Sequence, residues 1–600
     1  MFKSVLHMLL DTIRLYPEKD VIRHKVNGKY VGISYAEFGE SIRDLFYGMH
    51  QLGIQPGDKV SILSYNRPEW PLTDFATFAI RGVVVPLYHT LTPPQIAYIL
   101  NDAGVRAVFV ENQAMLEKIL PIWEECPSLE FVISYDEVSA GAENIYSYKE
   151  IVSKGKEFRK ENPALFDETI EQIGPQEICS LVYTSGTTGN PKGVMLHHHG
   201  FVTDIIYSEK RLNLRPDDVF ISFLPLSHLY ERLAGHWCAM YRGCTIGYAS
   251  DINTVIEDIQ EIKPTVMTSV PRLYEKISAR VLEQVESGPA FKRRLFYWAL
   301  RTGRQFHELR YQNKSSVVLT FKYQLADKLV FKKIKQKLGG RFRYPISGGA
   351  PISIDTLKFF EAMGMQIIEG YGMTETHLII TLTPFGKIVH GSCGIPIDCL
   401  EVKIAEDGEI CVKGPTIMKG YYNKPDLTRE AIDEEGWFHT GDIGHIKDGY
   451  VFITDRKKNI LVTAGGKNVA PAPIENALKE SKYIEDVCLV GDRRKFISAL
   501  IIPNFEMVEK FAEERNLKFE DRKALVEHPE VKRLFQEELE KYQDGFARYE
   551  KAKKFILLSE PLSMENGELT PSLKIRRSVV EKKFKVEIDS LYKEATPFQA

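Results

Sequence analysis

At 600 residues, 44% hydrophobic and 26% charged, the chain describes a soluble globular protein with several times the length one core needs, so more than one domain is expected. No run approaches the roughly 18 apolar residues of a membrane span, and the formal net charge of -3 gives no reason to expect a nucleic-acid partner. The eight cysteines form no C-x-x-C pair and sit in apolar surroundings, which indicates neither zinc nor a disulfide framework and fits reduced thiols in the cytoplasm.

Near the start, Val5 to Leu10 is apolar, but His7 interrupts it and Asp11 ends it, which predicts an amphipathic helix rather than a signal peptide. Apolar β-rich runs then alternate with helical stretches: Val83 to Leu87, Ala107 to Val110, Phe131 to Ser134, Ile178 to Tyr183, Val219 to Leu224, Thr265 to Val270 and Gln366 to Ile368. This is the βαβ rhythm of parallel sheets buried on both faces. Four runs end in unusual polar loops: Thr184-Ser185-Gly186 after Tyr183, Pro225-Leu226-Ser227-His228 after Leu224, Ser347-Gly348-Gly349-Ala350-Pro351 after Ile346, and Glu369-Gly370-Tyr371-Gly372-Met373-Thr374-Glu375 after Ile368. Ligands of open α/β sheets sit beyond the carboxyl ends of strands, so the four loops are predicted to converge on one site.

The most informative stretch runs from Leu181 to Leu196, LVYTSGTTGNPKGVML. Its glycines let backbone N–H groups approach closely, its hydroxyls add donors and Lys192 adds positive charge, a combination that suits a polyphosphate. The P-loop spacing G-x-x-x-x-G-K-[ST] does not occur.

From Phe291 to Arg343 the chain carries 15 Lys and Arg against two acidic residues, interleaved with Phe296, Tyr297, Trp298, Phe306, Tyr311, Phe321, Tyr323 and Phe331. Such a basic, aromatic, helical segment can lie on an anionic membrane or receive phosphates, while its plain alternative is a solvated helical face. After about residue 395 the rhythm changes. Asp407-Gly408 and Asp448-Gly449 each separate alternating runs and predict β-hairpins. The polar run Thr454-Asp455-Arg456-Lys457-Lys458-Asn459 marks a domain boundary. Beyond it come the turn Gly465-Gly466-Lys467, a charged helical region from Phe505 to Lys553, and the segment Leu569 to Arg577.

In order along the chain, YTSGTTGNPKGVML, PLSHLYER, SVPRLYEKI, SGGAPIS, EGYGMTET, GWFHTGDIG, DRKKNILVTAGGKNVAP and LTPSLKIRR resemble the blocks of the adenylate-forming (AMP-binding) superfamily, and most of all its long-chain fatty acid CoA ligases. The resemblance implies an α/β fold in which residues 1–454 form a large N-terminal domain of βαβ-type sheets with a small β-barrel subdomain at about 395–454. Residues 455–460 would be a hinge, and 461–600 a small mobile α+β C-terminal lid. It also implies the reaction: ATP converts a fatty carboxylate to acyl-AMP and pyrophosphate, and coenzyme A then displaces AMP.

Residue by residue, the resemblance gives Thr184, Ser185, Gly186, Thr187, Thr188, Gly189 and Lys192 the β and γ phosphates, and Glu375 with Thr184 the Mg²⁺ ion. Gly349, Ala350, Glu369, Gly370, Tyr371, Gly372, Met373 and Thr374 become the adenine and α-phosphate wall, and Asp442 with Arg456 the ribose grip. His228 would stand beside the acyl carboxyl group, Trp237 or a neighbouring aromatic would gate the acyl tunnel, and Lys574 would bridge carboxylate and α-phosphate as the catalytic lysine. Lys458 matches the hinge position, about which the lid would swing to bring Gly465, Gly466 and Lys467 to the pantetheine thiol. Transfer to acyl carrier protein, or arrest at acyl-AMP, stays open beside coenzyme A. A non-catalytic nucleotide- or lipid-binding membrane adaptor is the reading of another class. Peripheral contact at the inner face of a membrane, through 291–343, and a homodimer are also left open.

Overall fold

The computed structural model describes residues 1–139, 144–184, 190–251, 254–312, 314–563, 566–570 and 574–592. Val5–Leu15 is the expected amphipathic helix, its start fixed where Ser4 Oγ accepts the His7 amide at 3.3 Å. Among the described residues, two large sheets follow. One has eight strands in the order 420–421, 192–197, 178–184, 83–87, 59–63, 105–110, 131–134, 145–147. The other has nine, in the order 395–396, 378–382, 368–373, 344–347, 266–269, 219–222, 245–248, 20–26, 29–34. Their central strands are parallel and buried, as the continuous apolar runs predict.

Both sheets are mixed, however, and the departures lie at the polar loops. Ile178–Thr184 pairs in parallel with Val83–Leu87 but antiparallel with Lys192–His197, so Thr184 faces Lys192 across a hairpin. The connection is too short for the helical crossover that a parallel return requires. Likewise Glu369 to Met373, expected as a loop, belongs to the strand Ile368–Met373, which doubles back on Leu378–Leu382. The doubling back requires a glycine at 372, where a Cβ would lie 1.4 Å from the Leu378 carbonyl oxygen.

The two predicted hairpins form, Glu401–Ile404 with Glu409–Lys413 and Phe438–Lys447 with Tyr450–Arg456. They join into a four-stranded antiparallel sheet whose edge strands are 401–404 and 450–456, an open sheet where a barrel was expected. The basic segment is helical over Ala290–Tyr311 and Val317–Ala326. Beyond Arg456 a separate apolar cluster gathers residues from Leu461 to Leu557 around the strands 484–490, 498–503 and 554–557. The charged region from Phe505 breaks into three helices, Phe505–Glu514, Arg522–Glu527 and Pro529–Tyr542. All eight cysteines are unpaired, and among the described residues no helix is long and apolar enough to cross a membrane.

Candidate active site

The strand ends at Thr184, Ser222, Ser269, Ser347 and Met373 open onto one cleft of 4440 Å³, and the segment carrying Lys574 closes its far side. The four polar loops therefore do converge, although Ser185, Gly186, Thr187, Thr188 and Gly189 lie outside the described residues. Pockets for single small ligands span roughly 300–1,000 Å³, so this cleft has room for several substrates at once.

On one wall the hairpin sets Thr184 beside Lys192, whose ammonium stands 4.8 Å from the centre of the Tyr421 ring. The Tyr421 hydroxyl donates to Glu375 Oε1 at 3.0 Å, and burial together with that carboxylate pushes its pKa up. A cation, a carboxylate and hydroxyl groups thus share one wall. Behind them sits His377, at φ 57° just after Glu375. Its Nε2 accepts the His197 amide at 3.0 Å, and its Nδ1 lies 2.6 Å from the Thr416 carbonyl, a geometry that puts the proton on Nδ1. Burial lowers its pKa to about 3, with His197 adding to the effect. The neutral ring ties the Glu375 turn to the strand that begins with Lys192, and the Met418 amide adds a 2.8 Å bond to the Glu375 carbonyl.

The middle of the cleft is formed by Gly349, at φ +80°, with Ala350, Glu369, Gly370, Tyr371, Gly372, Met373 and Thr374. Burial raises the Glu369 carboxyl to about 8. The Tyr371 hydroxyl donates to Asp442 Oδ2 at 2.8 Å, and Arg456 Nε approaches Asp442 Oδ1 at 3.1 Å. Asp442 and Arg456 are cross-strand partners, which is why residues 14 apart in the sequence meet.

His228 and Lys574 complete the site. The Tyr230 amide donates to His228 Nδ1 at 3.1 Å, leaving the ring proton on Nε2, and burial with the nearby Lys574 charge lowers the ring to about 4. Lys574 keeps contact with solvent, yet the walls of the cleft surround it. That desolvation lowers its pKa to about 8, Arg456 acting in the same direction and Asp442 opposing. Its backbone is pinned to Thr570, whose Oγ1 accepts the Lys574 amide at 3.0 Å.

Gly465, Gly466 and Lys467 form a separate turn, closed by Thr463 N donating to the Lys467 carbonyl at 2.9 Å, and they are not among the residues that line the cleft. Lys458 lies in the short helical turn 457–459 at the cleft edge. Just before it, buried Asp455 accepts the Arg456 amide at 2.6 Å and the Ala472 amide at 2.7 Å, so one carboxylate caps the helix Pro471–Leu478 from the preceding strand. Trp237 is a correction. It is buried away from the cleft wall, packed on Phe201 at 4.9 Å and on the Arg232 guanidinium at 4.7 Å, because its helix turns it inward. Sequence reasoning missed Tyr421 and His377, and named Asp455 only as the start of the hinge. Only the Gly420-Tyr421-Tyr422 and Glu375-Thr376-His377 neighbourhoods carried any hint of the first two.

Comparison with known proteins agrees with this arrangement. Residues 10–422 match the family described as AMP-binding enzyme, and residues 458–596 match the AMP-binding enzyme C-terminal domain. The peroxisomal long chain acyl-CoA synthetase 7 of Arabidopsis thaliana is 34% identical over 94% of this chain and 82% of its own length. The long-chain-fatty-acid--CoA ligase FadD15 of Mycobacterium bovis is 32% identical over 98% of this chain and 97% of its own. Among solved structures, the anthranilate CoA ligase AuaEII in complex with anthranoyl-AMP superposes with a TM-score of 0.73 at 19% identity, covering 98% of both chains, a likeness of fold. With both family models in register and relatives of this identity spanning nearly the whole chain, the protein belongs to the AMP-binding enzymes.

Proposed function

We propose that this enzyme is a long-chain fatty acid–CoA ligase that joins a fatty carboxylate to coenzyme A in two steps, with ATP consumed in the first. The carrying observation is the position of Lys574: a cation brought from the C-terminal segment into the cleft that holds Asp442, Arg456 and His228. The names of the two relatives support the fatty substrate.

In the first step a carboxylate oxygen bonds to the α-phosphorus as the α–β phosphoanhydride bond breaks, and pyrophosphate departs. Charge grows on the phosphate oxygens, so fixed cations lower the barrier most. Lys574 would sit between carboxylate and α-phosphate, while Thr184 and Lys192 would hold the leaving pyrophosphate. Neutral His228 can donate Nε2–H to a carboxyl oxygen without presenting a second positive charge. Asp442 would accept ribose hydroxyls, and Tyr371 would offer its face to adenine. In the second step sulfur bonds to the acyl carbon, the bond to AMP breaks, and the thiol proton passes to solvent.

The site fits Mg²⁺: the Glu375 carboxylate and the Thr184 hydroxyl, both lining the cleft, are a sparse, hard-oxygen set, suited to an ion that keeps waters and phosphate oxygens as its other ligands. When bound, the ion would neutralise phosphate charge. His377 acts as a positioning residue for this wall. His377→Ala is expected to raise KM for ATP roughly tenfold and to cost about 1–3 kcal/mol through the unpaired His197 amide and Thr416 carbonyl. Pyrophosphate release at varied ATP checks this, and lost stability with an unchanged KM would leave His377 a structural role alone.

The placement of Lys574 inside the cleft and of Gly465 to Lys467 outside it fits the state that forms the adenylate. Thioester formation would follow a swing of 461–600 about 455–460, so Lys458→Pro should uncouple the two half-reactions. Equal rates of both steps in wild type and variant, by rapid quench, would remove the hinge. The reading also includes a cytoplasmic enzyme working against a membrane, supported by the unpaired cysteines and the exposed basic helices. The function itself is tested by pyrophosphate release over a series of fatty-acid lengths with coenzyme A, with acyl carrier protein and with neither. Fatty acyl-CoA is the expected product. Acyl carrier protein as the only acceptor, or acyl-AMP alone, would replace this reading.

A further inference from the structure

The helix Val317–Ala326 is held from one side only. Tyr323 stacks on Phe306 of the helix Ala290–Tyr311, with ring centres 4.2 Å apart and planes 5° from parallel, and Ala326 and Phe331 are buried behind it. Its first turn is fixed where Ser316 Oγ accepts the Leu319 amide. The opposite face carries Val317, Val318, Phe321 and Leu325, which no other part of the described chain covers: the first three are 88%, 66% and 68% exposed. At helical spacing these side chains form one continuous apolar edge.

Along this stretch of chain the charge is mostly of one sign. From Phe291 to Arg343 there are 15 Lys and Arg against Glu308 and Asp327, and Lys335 pairs with Asp327 at 2.6 Å. Lys322, Lys328, Lys332 and Lys333 are exposed and have no hydrogen-bond or ion-pair partner among the described residues. The edge also adjoins the site. The partner helix 290–311 lines the reaction cleft through Arg293, Tyr297, Arg301 and Arg304.

We propose that Val317, Val318, Phe321 and Leu325 insert into the interface of an anionic lipid bilayer, with Lys322, Lys328, Lys332 and Lys333 lying on the headgroups. Valine, phenylalanine and leucine gain by leaving water for the boundary of the acyl chains, while lysine stems lie along it and keep their ammonium groups among the phosphates. An exposed apolar helix edge beside unpaired lysines suits a fluid surface that deforms around it, whereas a protein partner would need a matching rigid groove. The use of this surface for collecting substrate rests on the proposed ligase activity; the binding itself does not.

The test is co-sedimentation of the full chain with phosphatidylcholine vesicles, with or without roughly one third phosphatidylglycerol, at low and high salt. Wild type should bind the anionic vesicles at least about tenfold better than the neutral ones, and lose that margin in salt. The double variants Val318→Ser with Phe321→Ser, and Lys328→Gln with Lys332→Gln, should each bind roughly tenfold more weakly. Both should melt as wild type does and release pyrophosphate normally from detergent-dispersed fatty acid. If one pair fails to fold, the other carries the test. Equal vesicle binding by wild type and a folded variant would overturn the proposal. So would failure of wild type to bind, with a self-association that Phe321→Ser abolishes, because a second copy would then cover the edge. Absence of fatty-acid turnover beside intact, variant-sensitive vesicle binding would overturn the ligase reading and leave this one standing.

Discussion

Lys574→Ala is expected to slow acyl-adenylate formation by at least about a hundredfold, the loss typical of one preorganised charge partner, while thioester formation from supplied acyl-adenylate survives. The asymmetry follows from geometry. Lys574 reaches the zone between His228, Asp442 and Arg456, where charge on the α-phosphate would grow, whereas the glycine turn proposed to serve the thiol lies elsewhere. A pH signature accompanies it. The Lys574 pKa is lowered to about 8 by desolvation, with Arg456 adding to the effect and Asp442 resisting. Only the protonated lysine offsets phosphate charge, so kcat/KM for adenylation should hold below this value and fall as pH rises through it. Lys574→Arg should move that limb upward, out of the accessible range. Stopped-flow pyrophosphate release and single-turnover thioester formation separate the half-reactions. An equal loss in both would mean that Lys574 acts only by holding the segment together.

The second large effect concerns stability. Arg232 and Asp74 are both buried, joined by two hydrogen bonds, one of them Arg232 Nε to Asp74 Oδ2 at 3.0 Å. Arg232 also donates to Ser180 Oγ at 2.8 Å, and its guanidinium faces the Trp237 ring. Burial raises the Asp74 carboxyl even against the pull of Arg232. Arg232→Ala should therefore cost about 3–5 kcal/mol, most of it from a stranded acid. Arg232→Met with Asp74→Leu should recover much of this loss, since an apolar pair needs no partner. Urea midpoints for the transition of the N-terminal segment decide it. A cost near zero for the single change, or no recovery in the double, would refute the account. Because Ser180 lies on the strand that ends at Thr184, the single variant should also weaken phosphate binding.

How much of this was legible in the sequence differs from residue to residue. The loops after Leu224 and Ile346 declared themselves because glycine, proline and hydroxyl residues interrupting apolar runs are a local signal, and the strands 219–222 and 344–347 before them are buried throughout. Lys574, Asp442 and Glu375 were reachable only through the order of blocks along the chain, since a lone charge after a turn has no local meaning. Tyr421 and His377 escaped altogether: their partners Glu375, His197 and Thr416 lie 39 to 180 residues away, and no periodicity encodes such a contact. The strand at 368–373 was misread because glycine-rich polar stretches look alike as loops and as strand edges. Trp237 failed for a related reason. An aromatic beside a site motif says nothing about which side of its helix faces the cleft.

Asp455 gives the resting geometry a mechanical meaning. Its carboxylate holds the first turn of the helix Pro471–Leu478 against the strand that carries Arg456, so it works as a detent between the two halves of the molecule. The proposed swing of residues 461–600, which would draw Lys574 away, would have to release the Ala472 amide. The loss of such a cap costs about 1 kcal/mol, a bias of roughly fivefold in population. A bias of that size would hold Lys574 in place for the proposed adenylation yet yield readily once an adenylate had formed, so in the proposed cycle one hydrogen bond would help set the tempo.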